Sequence, residues 1–301
     1  MNPGFTHTAL DLIFSALTSM VPLLLGATGE IIVEKSGVVN IGIEGIFLLS
    51  ALTSTIVDYF TNGNLGLALL VGIATGAAVG VLHGVISVYL RGDQIVAGVG
   101  VNMFAYGIAV VALVSIWKTF GNSPSVATIP SIMIFGESMS PLVPTSIVIA
   151  IIAWYFLFKT NAGLRLRACG ENPRAAEAMG INVLRIRFLA TIVGAALAGL
   201  GGAYLSIDWV GQFTKEISAG RGFIALANVA FSNWNPLMAI VGALIFGFFD
   251  ALAIYLSIAS MQPALAYLFK IIPYVGTLAV VAIFIRKTRL PASLGVPYIK
   301  E

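Results

Sequence analysis

LGLALLVGIATGAAVGVLHGVISVYL, residues 65–90, contains no lysine, arginine, aspartate or glutamate. A bilayer core about 30 Å thick needs roughly 20 mainly apolar residues per helix, so this stretch reads as a membrane span. Gly72, Gly76, Gly80 and Gly84 recur every fourth residue and share one helix face, where a neighbouring backbone can approach closely. His83, beside Gly84, reads as a contact between helices, since one histidine cannot form a proton relay by itself.

The rest of the 301 residues has the same character: 58% are hydrophobic and 10% charged, with a mean hydropathy of +0.98. Globular domains carry about 25% charged residues. With 16 basic and 13 acidic side chains, a soluble fold of this size could not cover its surface. The chain is therefore read as a single all-α polytopic membrane domain over 1–301, and not as a soluble enzyme, a nucleic-acid-binding domain or a secreted disulfide scaffold. Cys169 is the single cysteine, which excludes an internal disulfide, and two histidines leave few options for a metal. Residues 1–20 lack lysine and arginine, so the first apolar run reads as a retained span and not a secretory signal.

Candidate spans fall near 9–32, 38–57, 65–90, 95–117, 142–158, 188–207, 237–258 and 264–285, with a shorter apolar piece at 222–233. Segment 159–187 holds Lys159, Arg165, Arg167, Arg174, Arg185 and Arg187, and the tail 286–301 holds Arg286, Lys287, Arg289 and Lys300. Both are expected on the cytoplasmic side. The short piece reads as a broken or re-entrant helix; since an even number of crossings must separate the two basic stretches, it counts as a fourth crossing there unless another boundary is shifted. The count is then about nine (8–10), with the N-terminus outside. Further small-residue runs, Gly194, Ala198, Gly202 and Ala239, Ala243, Gly247, Ala251, read as close helix packing.

The cytoplasmic stretch NAGLRLRACGENPRAAEAMGINVLRIR, 161–187, carries the functional reading. Asn172 is an N-cap acceptor, Pro173 suits the first helical position, and Gly180 is placed to end the helix in a left-handed conformation. A two-turn helix is only marginally stable alone in water, so it needs a surface to pack on.

RACGENPRAAEAMGI (167–181) resembles the coupling-helix loop of ABC importer permeases of the branched-chain amino acid and simple-sugar class, and most of all the nucleoside and simple-sugar permeases. EKSGVVNIGIEGIFLLSAL (34–52), QIVAGVGVNMFAYG (94–107) and AGRGFIALANVAFSNWNP (219–236) resemble the second helix, central helix and late broken segment of such permeases, in the same order. The resemblance implies a type II importer fold and a homo- or heteromeric permease dimer. It also implies two cytoplasmic ATPase subunits, an extracellular or periplasmic substrate-binding lipoprotein, and residence in the cell membrane among lipid. On it, Gly170, Glu171, Asn172, Pro173, Ala176, Ala178, Met179 and Gly180 form the element that couples to the ATPase. The chain has no Gly-Lys dipeptide, hence no phosphate loop, so ATP is expected on the partner subunit and this chain is not expected to be an enzyme.

Polar residues inside spans are costly and mark function or pairing. Asn40 and Glu44 lie in the Gly-rich, interrupted stretch NIGIEG. Asn102 and Tyr106 share a helix face, and Phe223, Asn228, Phe231 and Trp234 fall in or beside the short segment. Together these eight are candidates to line a path for a neutral, planar or hydroxylated solute. Interhelical hydrogen bonding is the other role open to each amide. Asp250 and Lys270 are expected to pair between adjacent antiparallel helices. The competing reading is an ion-coupled secondary transporter using Asp250 and Glu44, which would have no use for a capped docking helix.

Overall fold

The computed structural model describes residues 3–134, 137–260, 263–284 and 289–299. Of the basic tail, Arg286, Lys287 and Lys300 lie outside the described residues. Helices dominate: α1 (Pro3–Lys35), α2 (Ile43–Phe60), α3 (Leu65–Tyr89), α4 (Gln94–Trp117), α5 (Leu142–Lys159), α6 (Asn161–Glu171), α7 (Pro173–Ala178), α8 (Val183–Val210), α9 (Arg221–Phe231), α10 (Pro236–Ala259), α11 (Pro263–Phe269) and α12 (Ile272–Phe284). The last turns of α3, α4 and α8 widen into π-helical turns. A small antiparallel hairpin, β1 (Ile132–Ile134) and β2 (Glu137–Met139), pairs Ile132 with Met139.

Seven of these helices among the described residues are long and apolar enough to cross a membrane, against the expected count of about nine. Two shorter apolar helices, Arg221–Phe231 and Tyr267–Ile283, occupy the other expected positions. The expected continuous span 264–285 is broken between Phe269 and Ile272. Pro273 has no N–H to offer the carbonyl four residues back, so the helix stops and restarts. The expected span 38–57 begins instead at Ile43, because residues 38–42 leave the helix and bond sideways: Val39 N–H to Gln94 Oε1 at 2.7 Å and Asn40 N–H to Glu30 Oε1 at 2.7 Å.

α8 is central, packed on α1, α2 and α3. The glycine ladder of α3 explains how close that packing is. A Cβ on Gly76 would stand 2.3 Å from the Ala195 carbonyl oxygen of α8, a distance no real side chain tolerates. One core joins α1, α5, α8, α9 and α10, and a second joins α2, α4 and α8. His83 is buried and bonds the Val39 carbonyl through Nε2 at 2.9 Å, so it ties α3 to the turn between α1 and α2 and not to another helix.

The two ends of the bundle differ. At one, the loop after α4 pairs with the loop after α8, with Ser123 N–H on Phe213 O at 2.8 Å and Val126 N–H on Gly211 O at 2.9 Å. At the other, the tail meets the α6–α7 segment, Ser293 N–H donating to Gly170 O at 2.8 Å. Two of the basic stretches seen in the sequence are thus neighbours in space.

Candidate functional site

The first candidate element is α7. Asn172 Oδ1 accepts from Ala175 N–H at 3.0 Å, and Pro173 opens the helix. At the other end Gly180 takes φ +80°, its N–H bonds Glu177 O at 2.8 Å, and Ile181 N–H bonds Ala176 O at 3.1 Å. This is the Schellman arrangement that only glycine enters without strain. Ala176 packs with Cys169, Val183, Tyr298 and Ile181, which gives the short helix its surface. Gly170 and Ala176 are buried anchors, whereas Glu171, Asn172, Ala178, Met179 and Gly180 are exposed, Met179 by 82%. Burial pushes the Cys169 thiol up to about 11, with Arg187 pulling the other way, so the lone cysteine is an inert packing group. Helix α6, capped by Thr160, precedes α7 directly and was not legible as a separate element.

The second is a polar junction where α2, α4 and α9 meet. Glu44 Oε1 accepts from Gly220 N–H at 2.8 Å and from the Tyr106 hydroxyl at 3.3 Å, while Oε2 accepts from Gly222 N–H at 2.8 Å. A carboxylate therefore occupies the N-terminus of α9, where free N–H groups and the helix dipole favour negative charge. Both glycines are required: Gly220 has φ +74°, and a Cβ on Gly222 would lie 2.5 Å from Glu44 N. Asn102 Oδ1 accepts from Gly45 N–H at 2.7 Å and its Nδ2 donates to Ile41 O at 3.1 Å. Asn40 Oδ1 accepts from Gly42 N–H at 3.0 Å.

The eight path candidates thus divide. Glu44, Asn102 and Tyr106 gather near the start of α9, with Phe223 beside Gly222, whereas Asn40 stays in the α1–α2 turn against Glu30 of α1. Asn228, Phe231 and Trp234 lie at its far end: Asn228 Nδ2 donates to Ala239 O at 3.0 Å, Phe231 stacks edge-on to Phe246 at 5.8 Å, and Trp234 Nε1 donates to Glu34 Oε2 at 2.5 Å. Asn40, Glu44, Asn102, Asn228 and Trp234 are buried and hold broken backbone together. Tyr106 and Phe223 keep open surface, 39% and 50% exposed.

The expected Asp250–Lys270 pair is replaced. Asp250 Oδ2 accepts from Arg221 Nη2 at 2.9 Å and Nε at 3.3 Å, and the guanidinium also stacks on Trp209, 4.5 Å from the ring centre. Lys270, at the α11–α12 break, stands over the Tyr267 ring; it lines the same pocket as Asp250 but, among the described residues, makes no ion pair with it. Arg221, Glu30 and Glu34 are the site residues that sequence reading missed. Each is a charge inside or beside an apolar run, which was the available signal.

The branched-chain amino acid transport system / permease component family matches residues 12–281. The nucleoside ABC transporter permease protein NupC of Lactococcus lactis is 37% identical, covering 98% of each chain. The guanosine ABC transporter permease protein NupQ of Bacillus subtilis is 35% identical, covering 95% of each. Among solved structures, an inward-facing conformation of a metal-chelate type ABC transporter shares the fold, with a TM-score of 0.53 at 19% identity over 91% of this chain and 85% of that one. The chain belongs to the branched-chain amino acid transport system / permease component family and is a multi-pass cell-membrane permease subunit of an ABC importer, a transport component and not an enzyme.

Proposed function

We propose that this subunit imports a neutral nucleoside, with α7 docking on a cytoplasmic ATPase that holds the ATP. The observation that carries the substrate reading is the carboxylate of Glu44 on the N-terminus of α9. Half-helix N-termini in transporters serve anionic substrate groups. Here that positive end is already neutralised from within, which disfavours a carboxylate-bearing solute such as an amino acid. What the junction leaves open is aromatic: the Phe223 ring for stacking and the Tyr106 face for a hydroxyl contact. A planar base on a sugar suits both. The relatives named for nucleosides and guanosine support the same class.

In this reading α9 is a half-helix completing about nine crossings, with the N-terminus outside and 159–187 and the tail inside. The importer is a permease pair, homo- or heteromeric, fed by an external binding lipoprotein. Of the two charges that would have suggested an ion-coupled carrier, Asp250 is paired with Arg221 and Glu44 is engaged by the N–H groups of Gly220 and Gly222. The test is uptake of tritiated uridine into cells, competed with guanosine, ribose and leucine. Guanosine should compete and leucine should not. Phe223→Ala should raise the KM about 5- to 150-fold, the value of a lost base–aromatic stack of about 1–3 kcal/mol. Transport of leucine or ribose with no uptake of either nucleoside contradicts the proposal.

A further inference from the structure

Arg187 is 2% exposed at the start of α8, and among the described residues its guanidinium meets carbonyls and no carboxylate. Nη1 donates to Val296 O at 2.8 Å and Nη2 to Cys169 O at 3.1 Å. It thereby ties the tail to the end of α6. The tail itself runs as a strap across that end of the bundle. Ser293 N–H bonds Gly170 O at 2.8 Å, Gly295 N–H bonds Gly37 O at 3.1 Å, and the Tyr298 hydroxyl donates to the Glu177 carboxylate on α7. Contact with the α1–α2 turn is equally tight. A Cβ on Gly37, where φ is +98°, would lie 2.5 Å from Arg187 Nη2, and one on Gly170 would lie 2.3 Å from Lys35 O. Seven residues beyond Gly37, in the first turn of α2, is Glu44, the cap of α9, with Asn40 N–H pinned on the way to Glu30 Oε1 at 2.7 Å.

A six-residue helix has little rigidity of its own. We infer that the strap, residues 289–299, and Arg187 position α7 and fasten it through the α1–α2 turn to the Glu44 junction. The strap makes α7, the turn and the start of α8 one body, so a push on α7 reaches the α9 cap without being lost in a flexing loop. Arg187 is a positioning residue here, and the inference rests on α7 being the ATPase-docking element.

The test uses the permease purified together with its ATPase subunits and supplied with its binding protein, as wild type, as a truncation after residue 288, and as Arg187→Met and Ser293→Pro. Ser293→Pro removes one donated N–H and no charge. Hydrogen–deuterium exchange is followed at 173–181 and 36–42, alongside ATP hydrolysis and tritiated uridine uptake in proteoliposomes. Exchange in both segments should rise about tenfold, the effect of losing one net hydrogen bond. Exchange inside α2 and α10 should stay at wild-type values, and uptake per ATP hydrolysed should fall. Wild-type protection of 173–181 in Ser293→Pro and in whichever other variant folds overturns the inference. Met179→Asp separates the underlying assumption: if that variant retains its ATPase and full uptake, the reading of α7 as the docking element fails, whatever the strap variants show.

Discussion

Glu44 concentrates the chemistry of the junction in one carboxylate. It accepts two backbone N–H groups and one hydroxyl, and hydrogen bonds to a charged group are worth about 1.5–3 kcal/mol each. Glu44→Ala should cost about 4.5 kcal/mol or more, read as unfolding in detergent, and Glu44→Gln, with one acceptor left, about half of that. Asp250 and Arg221 form a largely buried pair, in which removing one partner strands the other charge. Either Asp250→Asn or Arg221→Met should destabilise by about 3 kcal/mol, and the double change by less than their sum. Lys270→Met should stay within about 0.5 kcal/mol, since the exposed Lys270 meets only an aromatic face among its described contacts. A double Asp250→Asn, Lys270→Met change that costs less than the sum of its single changes, with Arg221→Met within about 0.5 kcal/mol of wild type, would restore the pairing expected from sequence. That expectation failed for a specific reason: depth along two helices can be counted from sequence, and Pro273 marked a break there, but the inward reach of Arg221 to Asp250 depends on tertiary packing.

The short helix α7 was legible before any coordinates, because its signals are local. Asn172, Pro173 and Gly180 each act within one turn, and all three occupy the positions their chemistry predicts. Asn172→Ala should cost this helix about 1 kcal/mol, and Gly180→Ala about 1–2 kcal/mol from the left-handed backbone. Both should appear first as faster exchange at 173–181 and weaker retention of the ATPase, with the melting of the bundle almost unmoved. The close approach of α3 and α8 was equally legible from the fourfold spacing of glycines. Helix α6 and the strap were not. An amphipathic helix continuous with a polar loop, and a tail without regular structure, owe their place to partners more than 100 residues away, and no local period marks such contacts. Arg187 shows the limit most clearly: by sequence it is one basic residue among six that set sidedness, yet in the fold it is buried against main-chain carbonyls.

At the scale of the whole molecule, the scarcity of charge placed the chain in a membrane, and the grouping of its basic residues marked the end where α7 and the strap meet. Beside seven long apolar helices among the described residues stand two shorter ones, and the positive end of one of them, α9, is neutralised by Glu44, leaving aromatic surface at Tyr106 and Phe223. The central claim is that ATP hydrolysis on a separate subunit, delivered through α7, drives import of a neutral nucleoside. Proteoliposomes holding the permease, its ATPase and its binding protein test it directly when tritiated uridine uptake is followed with ATP alone and with proton or sodium gradients alone. The account predicts uptake with ATP, no uptake with either gradient, and loss of the ATP-driven uptake in Met179→Asp. Uptake driven by a gradient in vesicles without ATPase would contradict it.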